Sequence, residues 1–148
     1  VPGPKFSKLS KDLVRSWTGC LMKLHVLLNR SAEFSVGFCF DEESEAECEI
    51  GVYGQVYYLN PITVTSARAM ESRFSSAWAA RHEIIATACH EVVHGAYGLG
   101  EHDEDYAGRL TEVMGIAMKH LDELVDMFRP VVKQSPIGSD RREALPVR

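Results

Sequence analysis

The sequence has no apolar run long enough to cross a bilayer. Its uninterrupted hydrophobic stretches are a few residues, against the roughly 20 that a membrane helix needs. It also lacks the basic-then-apolar layout of a secretory signal at its N-terminus. Both observations speak against a membrane protein or a classical secreted precursor. The chain opens at Val1 rather than Met, so it reads as a processed product or an excised domain, and missing targeting signals carry little weight. No CxxC pair occurs among Cys20, Cys39, Cys48 and Cys89, which removes the zinc ribbon and the thioredoxin-type motif. Reduced thiols in a cytoplasmic, intracellular protein are the leading expectation, with a Cys39–Cys48 bridge across a hairpin as the alternative. Basic charge is not in excess either: 16 Lys and Arg face 21 Asp and Glu, for a formal net charge of -5. A protein whose main business is gripping phosphate backbones would carry the opposite balance, although a local basic patch is compatible with it. Internal repeats are absent.

What is present is enough for one globular domain. The chain has 148 residues, 45% of them hydrophobic and 25% charged, and roughly 100 to 200 residues suffice for a single core. Leu9, Leu13, Trp17, Leu21, Leu24 and Leu28 recur at three- and four-residue intervals and mark an amphipathic helix, with Ser10 near its start as a cap. From Phe34 to Phe40 aromatic and polar residues alternate, as in a half-buried strand. Asp41 to Glu49 is an acidic run that reads as a solvated turn or strand edge. Val52 to Leu59 is rich in strand formers and stops at Asn60-Pro61, so a second and a third short strand belong there. Helices are expected from about Ala67 to Ala80 and from about Arg81 to Ala96, the latter ended by Gly95, Gly98 and Gly100. A last helix starts near Asp105, buries Leu110, Val113, Met114, Ala117, Leu121, Leu124 and Phe128, and closes at Pro130. The domain is thus placed at residues 1–130, with 131–148 as a flexible tail or linker. The fold class is α+β.

The chemistry lies in His90-Glu91-Val92-Val93-His94, an HExxH inside the apolar helical stretch that begins at Ile84. Residues four apart share a helix face, so both imidazoles reach one tetrahedral zinc while Glu91 stands beside its water. Catalytic zinc takes a third protein ligand, and His102, beyond the glycine-bearing loop from Gly95 to Glu101, is the first choice. Glu101, Asp103, Glu104 and Glu112 are the alternatives. A chance match is opposed by the apolar helix around the motif, where buried charge needs a reason, and by the third histidine that follows. His25 and His120 read as surface or boundary residues, His82 as a residue that lines the cleft only at a stretch, and Cys89, about 100° around the helix from His90, as core. Zinc on His90, His94 and His102 would bring a water pKa to about 7 and polarise a peptide carbonyl, with Glu91 moving the proton to the leaving amine. Tyr97, Tyr106 and Arg109 are candidates for the oxyanion donor.

These residues resemble a known family. Tyr57-Tyr58-Leu59-Asn60-Pro61, then a helix, then HExxH at His90 to His94, then His102 followed four residues later by Tyr106, is similar to the SprT-like minigluzincin metalloproteases. The resemblance spans roughly Phe34 to Leu121. It implies an N-terminal helix, a small three-stranded sheet, the zinc-binding HExxH helix and a C-terminal helix. It also implies His90, His94 and His102 as zinc ligands, Glu91 as general base, and protein substrates associated with DNA. The chain differs from SprT and Spartan proteases in lacking their C-terminal cysteine zinc module and in being acidic, so DNA as a partner is implied by the resemblance and not by the charge. ImmA/IrrE-like proteases, which cleave a repressor, share the scaffold. Metzincins fit less well, because Tyr97 and Gly100 stand where HExxHxxGxxH requires Gly and His. The expected function is therefore a zinc-dependent metallopeptidase acting on a protein or peptide. Its alternatives are a catalytically inactive, metal-bearing protein-interaction module and a helix-rich scaffold with no metal.

Overall fold

A computed structural model describes residues 4–31, 33–40, 43–52, 54–60 and 77–131, and it is α+β, with four helices and a small mixed sheet. Helix α1 spans Pro4–Leu27 and buries Leu13, Trp17, Leu21 and Leu24 completely. It begins six residues before Ser10, which lies inside the helix and is not its cap. Proline needs no amide partner in a first turn, so Pro4 suits the start. The far end closes as a Schellman motif. Asn29 takes the left-handed conformation (φ 56°), its amide donates to Val26 O at 3.0 Å, and the Arg30 amide donates to His25 O at 2.8 Å.

Three strands follow: β1 (Phe34–Phe38), β2 (Ala46–Gly51) and β3 (Gly54–Leu59), in the order β1-β3-β2. Strand β1 runs parallel to β3 and β2 antiparallel to it, with Val36 and Cys48 both opposite Tyr57. The second strand therefore arises from the acidic run, not from the residues after Val52. Alternation explains this: Ala46 and Cys48 turn inward while Glu47 and Glu49 stay exposed, so the charge occupies one face only. Strand β3 separates β1 from β2, and none of the four cysteines forms a disulfide, the Cys39–Cys48 bridge included.

Helix α2 (Ala77–Tyr97) is continuous across Ala80-Arg81, where the sequence pattern predicts a boundary; residues 67–76 of the expected earlier helix, like the tail from 132, lie outside the described residues. The predicted single last helix is two, α3 (Glu104–Lys119) and α4 (Leu121–Met127), broken at His120 (φ -121°, ψ 23°). The apolar stripe passes through this break in phase, so no pattern in the sequence announces it. Asp103 caps α3 by accepting from the Tyr106 amide at 3.0 Å, and Glu104 and Asp105 complement the positive end of the helix dipole. Leu13 and Trp17 of α1, Cys89 and Val92 of α2, Tyr57 and Leu59 of β3, and Val113, Leu124 and Phe128 from the C-terminal helices form one core. Among the described residues no helix is long and apolar enough to cross a membrane.

His25 is fully buried, which corrects its reading as a boundary residue. Its Nδ1 donates to the Ser31 carbonyl at 2.6 Å, and its Nε2 lies 2.9 Å from the Tyr57 hydroxyl. Burial lowers its pKa from the ordinary value, against a smaller opposing effect of the Ser31 carbonyl. As the pH falls, the unfolded chain therefore takes up this proton before the folded one does. Stability is intact above about pH 6.5, declines below it, and levels off once the folded pKa is passed. Urea midpoints measured from pH 8 to pH 5 should show this decline in the wild type, and a shallower one in His25→Gln.

Candidate metal centre

His90 and His94 stand four residues apart on α2 and so present their rings on one face. The third ring arrives from the loop between α2 and α3. Gly98, at φ +65°, makes the left-handed turn that brings His102 back over the helix, a conformation unfavourable for residues with a Cβ. One ring nitrogen from each of His90, His94 and His102 falls within 4.8 Å of the other two, and the Nε2 atoms of His94 and His102 are 3.0 Å apart. Ligand nitrogens on a tetrahedral zinc, at about 2.0–2.1 Å from the ion, sit about 3.3 Å from one another. The three histidines therefore fit the ion with shifts of at most about 1.5 Å in their mutual spacing.

The surroundings orient the imidazoles. His94 Nδ1 lies 2.6 Å from the Leu99 carbonyl, which only accepts, so the proton is on Nδ1 and the Nε2 lone pair faces the cluster. Burial lowers the His90 pKa, and the neighbouring His94 and His102 lower it further, which keeps a competing proton off the ligand. Tyr106, 4% exposed, lies against all three rings, with centroids 5.3 Å from His90 and 4.7 Å from His94 and His102. Its hydroxyl donates to the His90 carbonyl at 2.9 Å, so Tyr106 serves as a wall of the site and its proton is committed to the helix backbone.

Glu91 is 5% exposed, with Oε2 3.9 Å from His90 Nε2. Burial, reinforced by the carboxylate of Glu47 on β2, pushes its pKa up to about 7. A carboxyl group with that pKa exchanges a proton readily near neutrality. Behind it, Tyr57 bonds Gln55 Oε1 and His25 at 2.9 Å and packs against the helix at Gly95, where no side chain intervenes.

The other sequence candidates lie elsewhere. Asp103 caps α3, Glu112 pairs with Arg109 at 3.2 Å, and Glu101 and Glu104 are exposed outside the cluster; among the described residues His102 joins His90 and His94 in a group that could hold a metal ion. Tyr97 and Arg109 are engaged with one another, the guanidinium 4.6 Å from the ring centre, and Arg30 lies 4.3 Å from that ring. Cys89 is buried in the core, and His82 is not among the described residues lining the groove beside the triad. Sequence reasoning missed Tyr57, Gly95 and Glu47. Strand alternation placed Tyr57 on a face, yet nothing in the pattern told which helix that face would meet. Comparison with protein-family models, with characterised proteins and with solved structures finds no match to this chain.

Proposed function

We propose that this chain is a zinc-dependent metallopeptidase in which His90, His94 and His102 hold the ion and Glu91 is the general base. The observation that carries the reading is the convergence of the two HExxH histidines with His102, while a nearly buried carboxyl group with a pKa near neutrality sits beside them. Zinc at such a site supplies Lewis acidity, activating a water and polarising a peptide carbonyl. Glu91 Oε2, next to His90, would be the base that takes a proton from a water there and passes it to the departing amine. His94, fixed by the Leu99 carbonyl, and Tyr106, anchored on the His90 carbonyl, hold the arrangement so that little reorganisation accompanies turnover. The likeness of the HExxH, His102 and Tyr106 pattern to SprT-like minigluzincins supports the same chemistry, and with it substrates among DNA-associated or regulatory proteins. Four cysteines without a disulfide accord with a cytoplasmic setting.

The test is hydrolysis of an unfolded protein by the full chain loaded with one equivalent of zinc, in the presence and absence of DNA. Cleavage is expected to stop with chelator and to fall by about 10² to 10⁴ in Glu91→Gln. Zinc-loaded protein that cuts nothing under either condition overturns the reading.

A further inference from the structure

Strand β1 is an edge of the sheet and lies away from the metal centre: β3 separates it from β2, and β2 is the strand that packs along α2. In a parallel pair about half of a strand's amides and carbonyls point to the partner and the rest point away. Among the described residues no backbone hydrogen bond is made on the outer side of Phe34–Phe38. The two edges of the sheet are also guarded differently. Strand β2 carries Glu47 and Glu49, and charge is one of the devices that keep an edge from pairing with other chains. Strand β1, Phe34-Ser35-Val36-Gly37-Phe38, has neither charge nor proline.

Beside β1 runs a groove of about 380 Å³, lined by Lys11, Val14 and Arg15 of α1 and by Phe38. The three helical residues are three and four positions apart and share one face. Val14, Phe38 and the methylene stems of the two cations form apolar walls, while the exposed charged heads stand at the rim. Phe40, 61% exposed, continues the apolar strip, with its ring centre 6.5 Å from that of Phe38. Lys8 adds a third cation one turn earlier, and Asp12 faces this group, 2.6 Å from Lys8 Nζ and 3.7 Å from Arg15. Lys8, Lys11 and Arg15 against Asp12 leave this face positive on a chain whose net charge is -5.

We propose that the β1 edge and its groove take up an extended segment of another protein in which apolar residues alternate with Asp or Glu. Such a segment adds a fourth strand to the sheet, making main-chain hydrogen bonds to β1 and turning alternate side chains toward α1. On that side an apolar residue enters between Val14 and Phe38, and carboxylates meet Lys11 and Arg15. The open backbone edge and the apolar walls both favour a polypeptide, since a phosphate chain would use the cations alone. The site is separate from the proposed chemistry and stands whether or not the chain is a peptidase.

The probe is a fluorescent ten-residue peptide of alternating Val and Glu, compared with its Val/Lys counterpart and with a Val/Glu peptide carrying Pro at alternate Val positions. Anisotropy is read with the zinc-loaded full chain bearing Glu91→Gln, so that cutting cannot consume the probe. The Val/Glu peptide should bind with a Kd of about 100 µM or tighter, and the other two at least tenfold more weakly. Combining Lys11→Glu with Arg15→Glu should reverse the order of the Val/Glu and Val/Lys peptides; both positions are exposed, and thermal melting checks the fold. Amide hydrogen exchange then locates the peptide, with protection expected at the amides of Phe34–Phe38 that β3 leaves unbonded and not in β2. Should the double variant melt early, the wild-type order and the exchange pattern still decide. No binding of the Val/Glu peptide, an order that a folded double variant leaves unmoved, or protection confined to β2 overturns the proposal. Single-stranded DNA that competes with the peptide and binds more tightly would make the patch a phosphate site and overturns it too. Self-association in ultracentrifugation that Lys11→Glu with Arg15→Glu abolishes would give the edge to a second copy, with the same consequence.

Discussion

Replacing His102 by Ala should weaken zinc binding by at least about 10²-fold while leaving the apo fold intact. The magnitude follows from the binding energy of a protein zinc site: about 10–16 kcal/mol shared among four ligands is about 3 kcal/mol for each, and 1.4 kcal/mol is a factor of ten. His102 is exposed, on the loop before α3, and its removal opens no cavity in the core, so a change in apo stability within about 0.5 kcal/mol is expected. The two consequences separate in one experiment. Chelator competition should show the lost affinity, and melting with excess zinc should show a stabilisation in the wild type that His102→Ala lacks, since a ligand at 1,000 times its Kd adds about 4 kcal/mol. Glu91→Gln, by contrast, removes the charge of a residue outside the ligand set and should retain the metal. Full zinc affinity in His102→Ala would move the third ligand to another group, with Glu101 and Asp103 nearest in sequence, and would remove the basis on which the catalytic reading stands.

The grouping of His90, His94 and His102 was legible in the sequence because its geometry is mostly local. A four-residue spacing fixes the relative direction of His90 and His94 once the segment is helical, and only a short glycine-bearing loop separates them from His102. The small sheet was legible in part: the acidic run read as a solvated turn or strand edge, and its second half is the edge strand β2, whereas the second and third strands expected between Val52 and Leu59 are the single strand β3. In strand β2 the same glutamates alternate with Ala46 and Cys48, so a segment rich in carboxylates still pairs with β3. The break at His120 was hidden for a different reason. The apolar stripe from Leu110 to Phe128 keeps its phase through it, and neither Gly nor Pro stands at the break itself. Least legible were contacts between distant segments. His25 looked like a boundary residue on its own helix, and only the approach of Tyr57, 32 positions later, and the turn at Ser31 make it an interior one.

Gly95 provides the largest expected effect on stability, and its direction is opposite to what helix propensity alone predicts. In an exposed helix interior, Ala is favoured over Gly by about 1 kcal/mol. A Cβ on Gly95, however, would overlap the Tyr57 hydroxyl and lie 2.5 Å from its Cζ and 2.7 Å from Gln55 Oε1. Tyr57 has little freedom to withdraw. Its hydroxyl is bonded to Gln55 and His25, its ring meets Phe34 edge-on at 5.1 Å, and it is fully buried in the centre of the sheet. Overpacking of this kind costs about 1–3 kcal/mol and sometimes more, and the closeness here places Gly95→Ala at about 3 kcal/mol of destabilisation. Gly115 on α3 is the internal control, because nothing lies within 4 Å of the Cβ it lacks; Gly115→Ala should stabilise by up to about 1 kcal/mol. Trimming the obstructing ring with Tyr57→Leu should make the Gly95→Ala cost smaller than it is in the wild type, as expected for residues in direct contact. Urea unfolding of the four variants reads all of this. A Gly95→Ala protein as stable as Gly115→Ala would mean that Tyr57 can yield, and that the seat of the HExxH helix on the sheet does not depend on this close approach. Loss of stability accompanied by weakened zinc binding would instead tie that seat to the metal ligands, because His94 immediately precedes Gly95 and Glu91 lies one turn before it on the same helix.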